Sequence, residues 1–391
     1  MTTDAHDFLD VDALLSEEER MLRDTVRQFV QDRIVHEVAE WFDAGTFPKE
    51  LGKEMGALGL LGMHLKGYEC AGTSAVAYGL ACLELEAGDS GARSFVSVQG
   101  SLAMFPIWRF GSEEQKQEWL PRMAAGEAIG CFGLTEPDSG RDPSSMRTTA
   151  KRDGSDWVLN GTKMWITNGS IADVAIVWAR TDDLPGGTYA GFIVPTDTKG
   201  FRANDIPKKL SLRASVTSEL VLDDVRLPES ARLPDVSTMR GPLSCLNEAR
   251  YGILWGAVGA GRACYESALE YSKERVQFDV PIASFQLTQR KLVEMMVKVN
   301  KGMLLALHLG RMKDEARLSP EHVSFGKFDN VREALWIARE ARSVLGANGI
   351  TLEYPVIRHM NNLESVYTYE GTNEVHTLVL GQAITGINAF R

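Results

Sequence analysis

The hydrophobic period of this chain changes twice, and those changes restrict its fold more than any single residue does. Up to about residue 126 the apolar residues recur every three or four positions, as on one face of a helix. Leu22, Val26, Phe29, Val30 and Ile34 keep that spacing, after an N-cap signal at Ser16 and three acids, Glu17-Glu18-Glu19. Residues 74–92 and 94–110 read as two more helices, and Ser112-Glu113-Glu114 starts another. Past Gly126 the pattern turns β-like. Residues 156–166 read as two short runs around Asn160-Gly161, a hairpin signal. Residues 174–179, 190–194 and 218–222 follow as strands, with Asp223-Asp224 as a turn. The Pro-containing stretch 227–242 reads as a linker. From Leu243 the helical period returns. Leu292, Met295, Met296, Val299 and Met303 make one stripe, and Val331, Ala334, Leu335, Ala338, Ala341 and Leu345 another. The expectation is an α+β chain: a helical domain over 1–126, a compact antiparallel β domain over 127–236 and a helical bundle over 237–391.

The charge balance limits the partners. The net charge is −11, which argues against nucleic acid but leaves room for a local phosphate pocket. The first dozen residues are polar and acidic, unlike a signal peptide. No apolar run approaches the roughly 18 residues of a membrane span. Five scattered cysteines without Cys-x-x-Cys spacing read as reduced thiols, so a cytoplasmic protein without a metal site is expected.

Several segments carry candidate chemistry. Glu370 stands between Tyr369 and Gly371, near the end of a long helical region. It fits an exposed acid at a helix ending on Gly371, or a carboxylate in a dry pocket whose basicity is raised. The glycine-rich run 251–261 lacks the third glycine of a dinucleotide fingerprint, because position 264 is Cys, so close helix packing is the expected reading. The loop Phe132-Gly133-Leu134-Thr135-Glu136-Pro137-Asp138-Ser139-Gly140-Arg141-Asp142, with Trp165-Ile166-Thr167-Asn168, could present amides, hydroxyls and an indole to a flat ring. Arg275-Val276-Gln277-Phe278 offers a guanidinium to a pyrophosphate. Leu345-Gly346-Ala347-Asn348-Gly349 reads as a glycine-ended helix.

Each of these segments is weak alone, but their order along the chain resembles the acyl-CoA dehydrogenase family. Gly241-Pro242-Leu243-Ser244-Cys245-Leu246-Asn247 and Ala249-Arg250-Tyr251-Gly252 resemble its glutaryl-CoA dehydrogenase branch. The resemblance implies an N-terminal helical domain, a central β-barrel, a C-terminal four-helix bundle, bound FAD, a homotetramer and an electron-transfer flavoprotein as acceptor. It implies that Glu370 abstracts the α-proton of an acyl-CoA while a β-hydride passes to the flavin. The alternative base of another branch would stand at Ala249, which cannot serve.

The same resemblance places Phe132, Leu134, Thr135, Gly140, Arg141, Trp165, Ile166 and Thr167 around the flavin. Arg275, Gln277, Phe278, Gln286, Leu345, Gly346, Asn348, Gly349, Thr372 and Asn373 would hold the dinucleotide, partly across a subunit interface. Glu86, Arg93, Ser97, Arg213, Ser215, Asn247, Arg250, Tyr369 and Gly371 fall to the substrate. Within that set, Arg93 and a serine would hold a distal carboxylate, while Glu86 and Tyr369 are linked to decarboxylation. The bland reading of Arg93 is a solvated helix-end cation.

Three positions depart from the branch. Ala92 replaces a usual tyrosine, so a longer substrate such as adipyl-CoA fits the reading. Arg141 replaces a serine in the flavin motif, and Ser211 a glycine. Two other functions compete: a dehydrogenase of short or branched monocarboxylic acyl-CoAs, and a non-catalytic acyl-CoA or flavin-binding scaffold.

Overall fold

The structure is a computed structural model that describes residues 4–184 and 188–390. The N-terminal helices are α1 (Glu17–Val30), α2 (Val38–Ala44) and α3 (Leu51–Ala57). After a small ribbon of β1 (Lys66–Gly67) and β2 (Cys70–Ala71) come α4 (Ala75–Gly88), α5 (Ser90–Ser97), α6 (Phe105–Phe110) and α7 (Glu113–Ala124). Local chemistry sets the helix starts. Ser16 with Glu19, and Ser112 with Gln115, form reciprocal capping boxes at α1 and α7.

The helices expected over 74–92 and 94–110 divide elsewhere. Asp89 leaves helical geometry, and its Oδ1 accepts the Gly91 N–H at 2.6 Å, so α5 starts at Ser90. A π-helical stretch, Val98–Met104, then separates α5 from α6. Helix α4 is apolar on nearly every side and buried along almost its whole length.

The middle block is one curled seven-stranded sheet of β3 (Gly130–Gly133), β4 (Thr149–Asp153), β5 (Asp156–Thr167), β6 (Val174–Arg180), β7 (Tyr189–Pro195), β8 (Phe201–Asp205) and β9 (Thr217–Pro228). It is not purely antiparallel, because β3 and β4 both meet β6 in parallel. The hairpin expected at Asn160-Gly161 is absent. Strand β5 runs straight through, and the reversal lies at Gly154 (φ 67°), where Asp153 pairs with Asp156. Asn160-Gly161 marks a bulge instead. Asn160 Nδ2 donates to Asp224 Oδ1, and Asp224 N to Asn160 Oδ1, each at 2.9 Å. Asp223-Asp224 is therefore the partner of that bulge within β9, not a turn.

The C-terminal block holds α8 (Arg240–Glu274), a ribbon of β10 (Val276–Gln277) and β11 (Val280–Pro281), then α9 (Gln286–Asp314), α10 (Pro320–Val344), α11 (Val356–Thr368) and α12 (Asn373–Thr385). The expected linker is shorter than 227–242, since Pro242 sits in the first turn of α8, where its missing N–H costs nothing. Both apolar stripes face the core. The glycines of 251–261 bring α8 against α4. A Cβ on Gly259 would lie 1.9 Å from the Leu83 carbonyl oxygen, and one on Gly256 2.0 Å from Glu86 Oε2. Among the described residues no helix is long and apolar enough to cross a membrane.

Candidate active site

Helix α11 stops at Thr368, earlier than the Gly371 ending considered from the sequence, and Tyr369 turns extended. Glu370 then adopts φ 50° and Gly371 φ 94°, before Thr372 caps α12 by accepting the Val375 N–H. A glutamate in left-handed backbone costs roughly 1–2 kcal/mol, so the surroundings must enforce it. They do so through the carbonyls. Lys327 Nζ, from α10, donates to Tyr369 O at 2.7 Å and to Gly371 O at 2.6 Å. Arg250 Nε, from α8, donates to Glu370 O at 2.6 Å, and its Nη1 to Asn247 Oδ1 at 3.2 Å. Gly371 must be small, because a Cβ there would stand 3.0 Å from His376 Nε2.

The Glu370 carboxylate is not an exposed acid. The residue keeps some surface, but Oε2 is buried and accepts no hydrogen bond among the described residues. Burial pushes its pKa up, against Arg93, Arg250 and Lys327, which pull it down. A carboxylate stripped of water but not neutralised is a strengthened base.

Arg93 is not a solvated cation either. It is 1% exposed, on α5. Its Nε donates to Glu86 Oε2 at 2.5 Å, and its Nη2 to the Tyr369 hydroxyl. Ser90 Oγ donates to the other Glu86 oxygen at 2.8 Å. Burial opposes the charge, but Glu86 and Tyr369 hold Arg93 firmly protonated. Burial likewise pushes the Tyr369 phenol up to about 12, so it stays neutral. Ser97 Oγ is buried with no hydrogen-bond partner among the described residues, and Ala92 is buried in the same helix. The residue that bonds the guanidinium, Tyr369, and the candidate base, Glu370, are thus consecutive.

A rigid platform lies on the sheet. Met164 N donates to Thr135 O at 2.8 Å, and the buried Lys163 donates to Leu134 O at 3.1 Å and to Glu136 Oε1 at 2.8 Å. These bonds dock the loop bearing Phe132, Leu134 and Thr135 beside Trp165, Ile166 and Thr167. Phe132, Leu134 and Ile166 are buried, while Trp165 is 57% exposed at φ 63°. An indole held in strained backbone and left uncovered suits stacking against a flat ring. Gly140 and Arg141 are exposed on the same loop, and the Glu374 carboxyl, held below its usual range mainly by the Thr372 hydroxyl, also feels the charge of Arg141. That brings the loop to the start of α12, where Thr372 and Asn373 stand.

A second group gathers at the far end of α8. Arg275 caps that helix, Gln277 lies in β10, Phe278 forms the ribbon tip, and Gln286 begins α9. Phe278 is 88% exposed, at φ 53°. Asn348 Nδ2 donates to Tyr271 Oη at 3.1 Å, between the buried Leu345 and Gly349. Gly346 takes φ 60°, as a glycine ending a helix should.

One expected substrate residue is committed elsewhere. Arg213 Nε donates to Phe42 O at 2.7 Å, and its other nitrogens donate to Lys209 O and Asp43 O. It closes the last carbonyls of α2. Ser215 is buried, with its carbonyl taking Lys209 Nζ at 2.8 Å. Ser211, the other departure in that loop, shares a 2.5 Å hydrogen bond with Ser365 of α11.

Two residues escaped the sequence reading. Lys327 falls in step with Val323, Val331 and Ala334, a charge inside an apolar stripe, and that mismatch was the available signal. His376 is buried on α12 with both ring nitrogens unpartnered, and burial with its cationic neighbours pulls it down to about 3. Nothing in the sequence marked it.

Helical, sheet and helical blocks follow one another along the chain, and a desolvated carboxylate, Glu370, stands between the last two helices. The chain belongs to the acyl-CoA dehydrogenase family, whose N-terminal, middle and C-terminal domains match residues 16–127, 131–225 and 239–385. It is similar to the mitochondrial short-chain specific acyl-CoA dehydrogenase of Bos taurus, 34% identical over 369 residues, 94% of this chain and 90% of that protein. It is also similar to a glutaryl-CoA dehydrogenase of Mycobacterium smegmatis, 66% identical with a TM-score of 0.97 over the whole of both chains. A second glutaryl-CoA dehydrogenase structure from that organism, in complex with FADH2, is 64% identical with the same TM-score and coverage.

Proposed function

We propose that the protein is an FAD-dependent dehydrogenase of a short dicarboxylyl-CoA, with glutaryl-CoA as its main substrate. The observation that carries this is the buried Arg93–Glu86–Tyr369 cluster against the base. Sinking a guanidinium costs several kcal/mol, and its fork matches a carboxylate. The glutaryl-CoA dehydrogenase neighbours support the same choice, while the short-chain relative keeps butyryl-CoA as the comparison.

FAD fits the platform: Phe132, Leu134, Thr135, Trp165, Ile166 and Thr167 would line its ring, and Arg275, Phe278, Gln286 and Gly346 its dinucleotide half. Bound there, it supplies the acceptor for the β-hydride. Glu370 takes the α-proton, and its own N–H, which has no protein acceptor among the described residues, is free to polarise the thioester carbonyl. In the glutaryl case the resulting enoyl acid loses its γ-carboxylate as CO₂. The dienolate keeps the electron pair and takes a proton back, giving crotonyl-CoA. Exposed Phe278, Leu287 and Ile384 support assembly into a homotetramer, and reoxidation falls to an electron-transfer flavoprotein.

The test is steady-state turnover of glutaryl-, adipyl- and butyryl-CoA by wild type and by the double variant Glu86→Gln/Arg93→Met. Changing both partners avoids stranding one buried charge. Glutaryl-CoA should lead in the wild type, and the variant should lose about 100-fold on it, two charge-assisted hydrogen bonds, while butyryl-CoA changes little. Butyryl-CoA leading in the wild type overturns the reading.

A further inference from the structure

Lys327 makes no hydrogen bond to Glu370 itself, yet it holds the carbonyls of both residues that flank the base. It is buried on α10, and burial pulls its pKa down while Glu370 pushes it up. A buried ammonium is retained only where its protons are taken up. Two of them go to the carbonyls of Tyr369 and Gly371, on either side of Glu370. Because a peptide unit is planar, holding Tyr369 O also fixes the direction of the Glu370 N–H on the opposite edge of that unit. Holding Gly371 O fixes the unit beyond, and Arg250 holds the one between. The left-handed glutamate is thus clamped at three successive peptides.

We infer that Lys327 is a positioning residue for α-proton abstraction, bridging the two carbonyls that flank Glu370 so as to fix its carboxylate and aim its N–H. This rests on Glu370 being the base. The charged groups that act on Glu370 are Arg93 from α5, Arg250 from α8 and Lys327 from α10, with the Tyr369 phenol adjoining; His376 from α12 lies against Gly371. Losing Lys327 removes one of the three cations that keep the base ionised.

The experiment follows FAD-loaded Lys327→Met by stopped-flow bleaching with glutaryl-CoA across pH, and by amide hydrogen exchange of the segment 369–372. Bleaching should slow roughly 100-fold, the loss typical of a reacting group displaced by about 1 Å. Its pH midpoint should rise by about one unit as a neighbouring cation disappears. Amide exchange of the segment should quicken, and KM should move far less than kcat. If the methionine variant does not fold, Lys327→Gln keeps amide donors without the charge, and should show the same upward midpoint with a smaller loss of rate. A folded, yellow variant with wild-type rate, midpoint and exchange overturns the assignment alone. A wild-type protein that no acyl-CoA bleaches overturns both this and the proposed function.

Discussion

Gly256 on α8 faces the Glu86–Arg93 pair, and Gly256→Ala tests whether that pair has any slack. Taken alone, alanine inside a helix should stabilise by about 0.8–1.0 kcal/mol over glycine. The structure opposes that gain. The new Cβ would sit 2.0 Å from Glu86 Oε2 and 3.2 Å from Arg93 Nε, well inside van der Waals contact. Overpacking of a buried site costs about 1–3 kcal/mol. Separating the 2.5 Å pair adds to this, toward the roughly 3–5 kcal/mol of a broken buried ion pair. A net destabilisation of about 2–4 kcal/mol follows, a fall on the order of 2–5 °C in thermal midpoint for a chain of this length. Gly381→Ala on α12 is the control, because its Cβ meets nothing within 4 Å and only the helix gain remains. The assay is paired thermal melts with the glutaryl-to-butyryl turnover ratio. Gly256→Ala melting as high as the control, with an unchanged ratio, would refute the account of a rigid carboxylate site.

Glu370→Gln should keep FAD and its yellow colour while substrate-driven bleaching disappears, read by anaerobic spectroscopy; bleaching at the normal rate refutes the base assignment. The same variant carries a pH signature. The folded pKa of Glu370 lies above its ordinary value, so its favourable contribution is present below the ordinary carboxylate range and is lost as pH rises through the raised pKa. Melts should therefore show Glu370→Gln gaining on the wild type toward neutral pH, with the gap closing as the solution is acidified. Asp89→Ala should cost about 3–5 kcal/mol, because it strands Arg358, whose Nη1 donates to Asp89 Oδ2 at 2.5 Å. It should also loosen α5, and a melt within a degree or two of wild type would sink that view.

The sequence made some of this legible because the physics was local. The helix starts at Ser16 and Ser112 are decided by residues three apart. The bulge at Asn160 was misread because its partner Asp224 is 64 residues away, so Asn-Gly resembled the hairpin chemistry it usually serves. Asp89 was missed as a break for the same reason, since two of its three side-chain bonds reach α11. Glu370 was singled out as the candidate base through the order of motifs around it, not through its own environment. Arg213 was assigned by resemblance alone, and the bonds of its guanidinium to the end of α2, some 170 residues earlier, were not legible in the sequence. Lys327 reaches carbonyls 42 and 44 residues ahead, and only its place in an apolar stripe hinted at it.

The close seating of α4 on α8 also sets a schedule for biosynthesis. Tyr251 of α8 donates to Ala75 of α4 across 176 residues, and Trp255 fills the space beside Gly79. A ribosome adding about 5–20 residues per second needs roughly 10–30 s to cover that interval. Throughout it α4, greasy on nearly every side, has left the exit tunnel without its cover. The interval before α8 arrives is therefore the one in which that apolar surface is most open to aggregation.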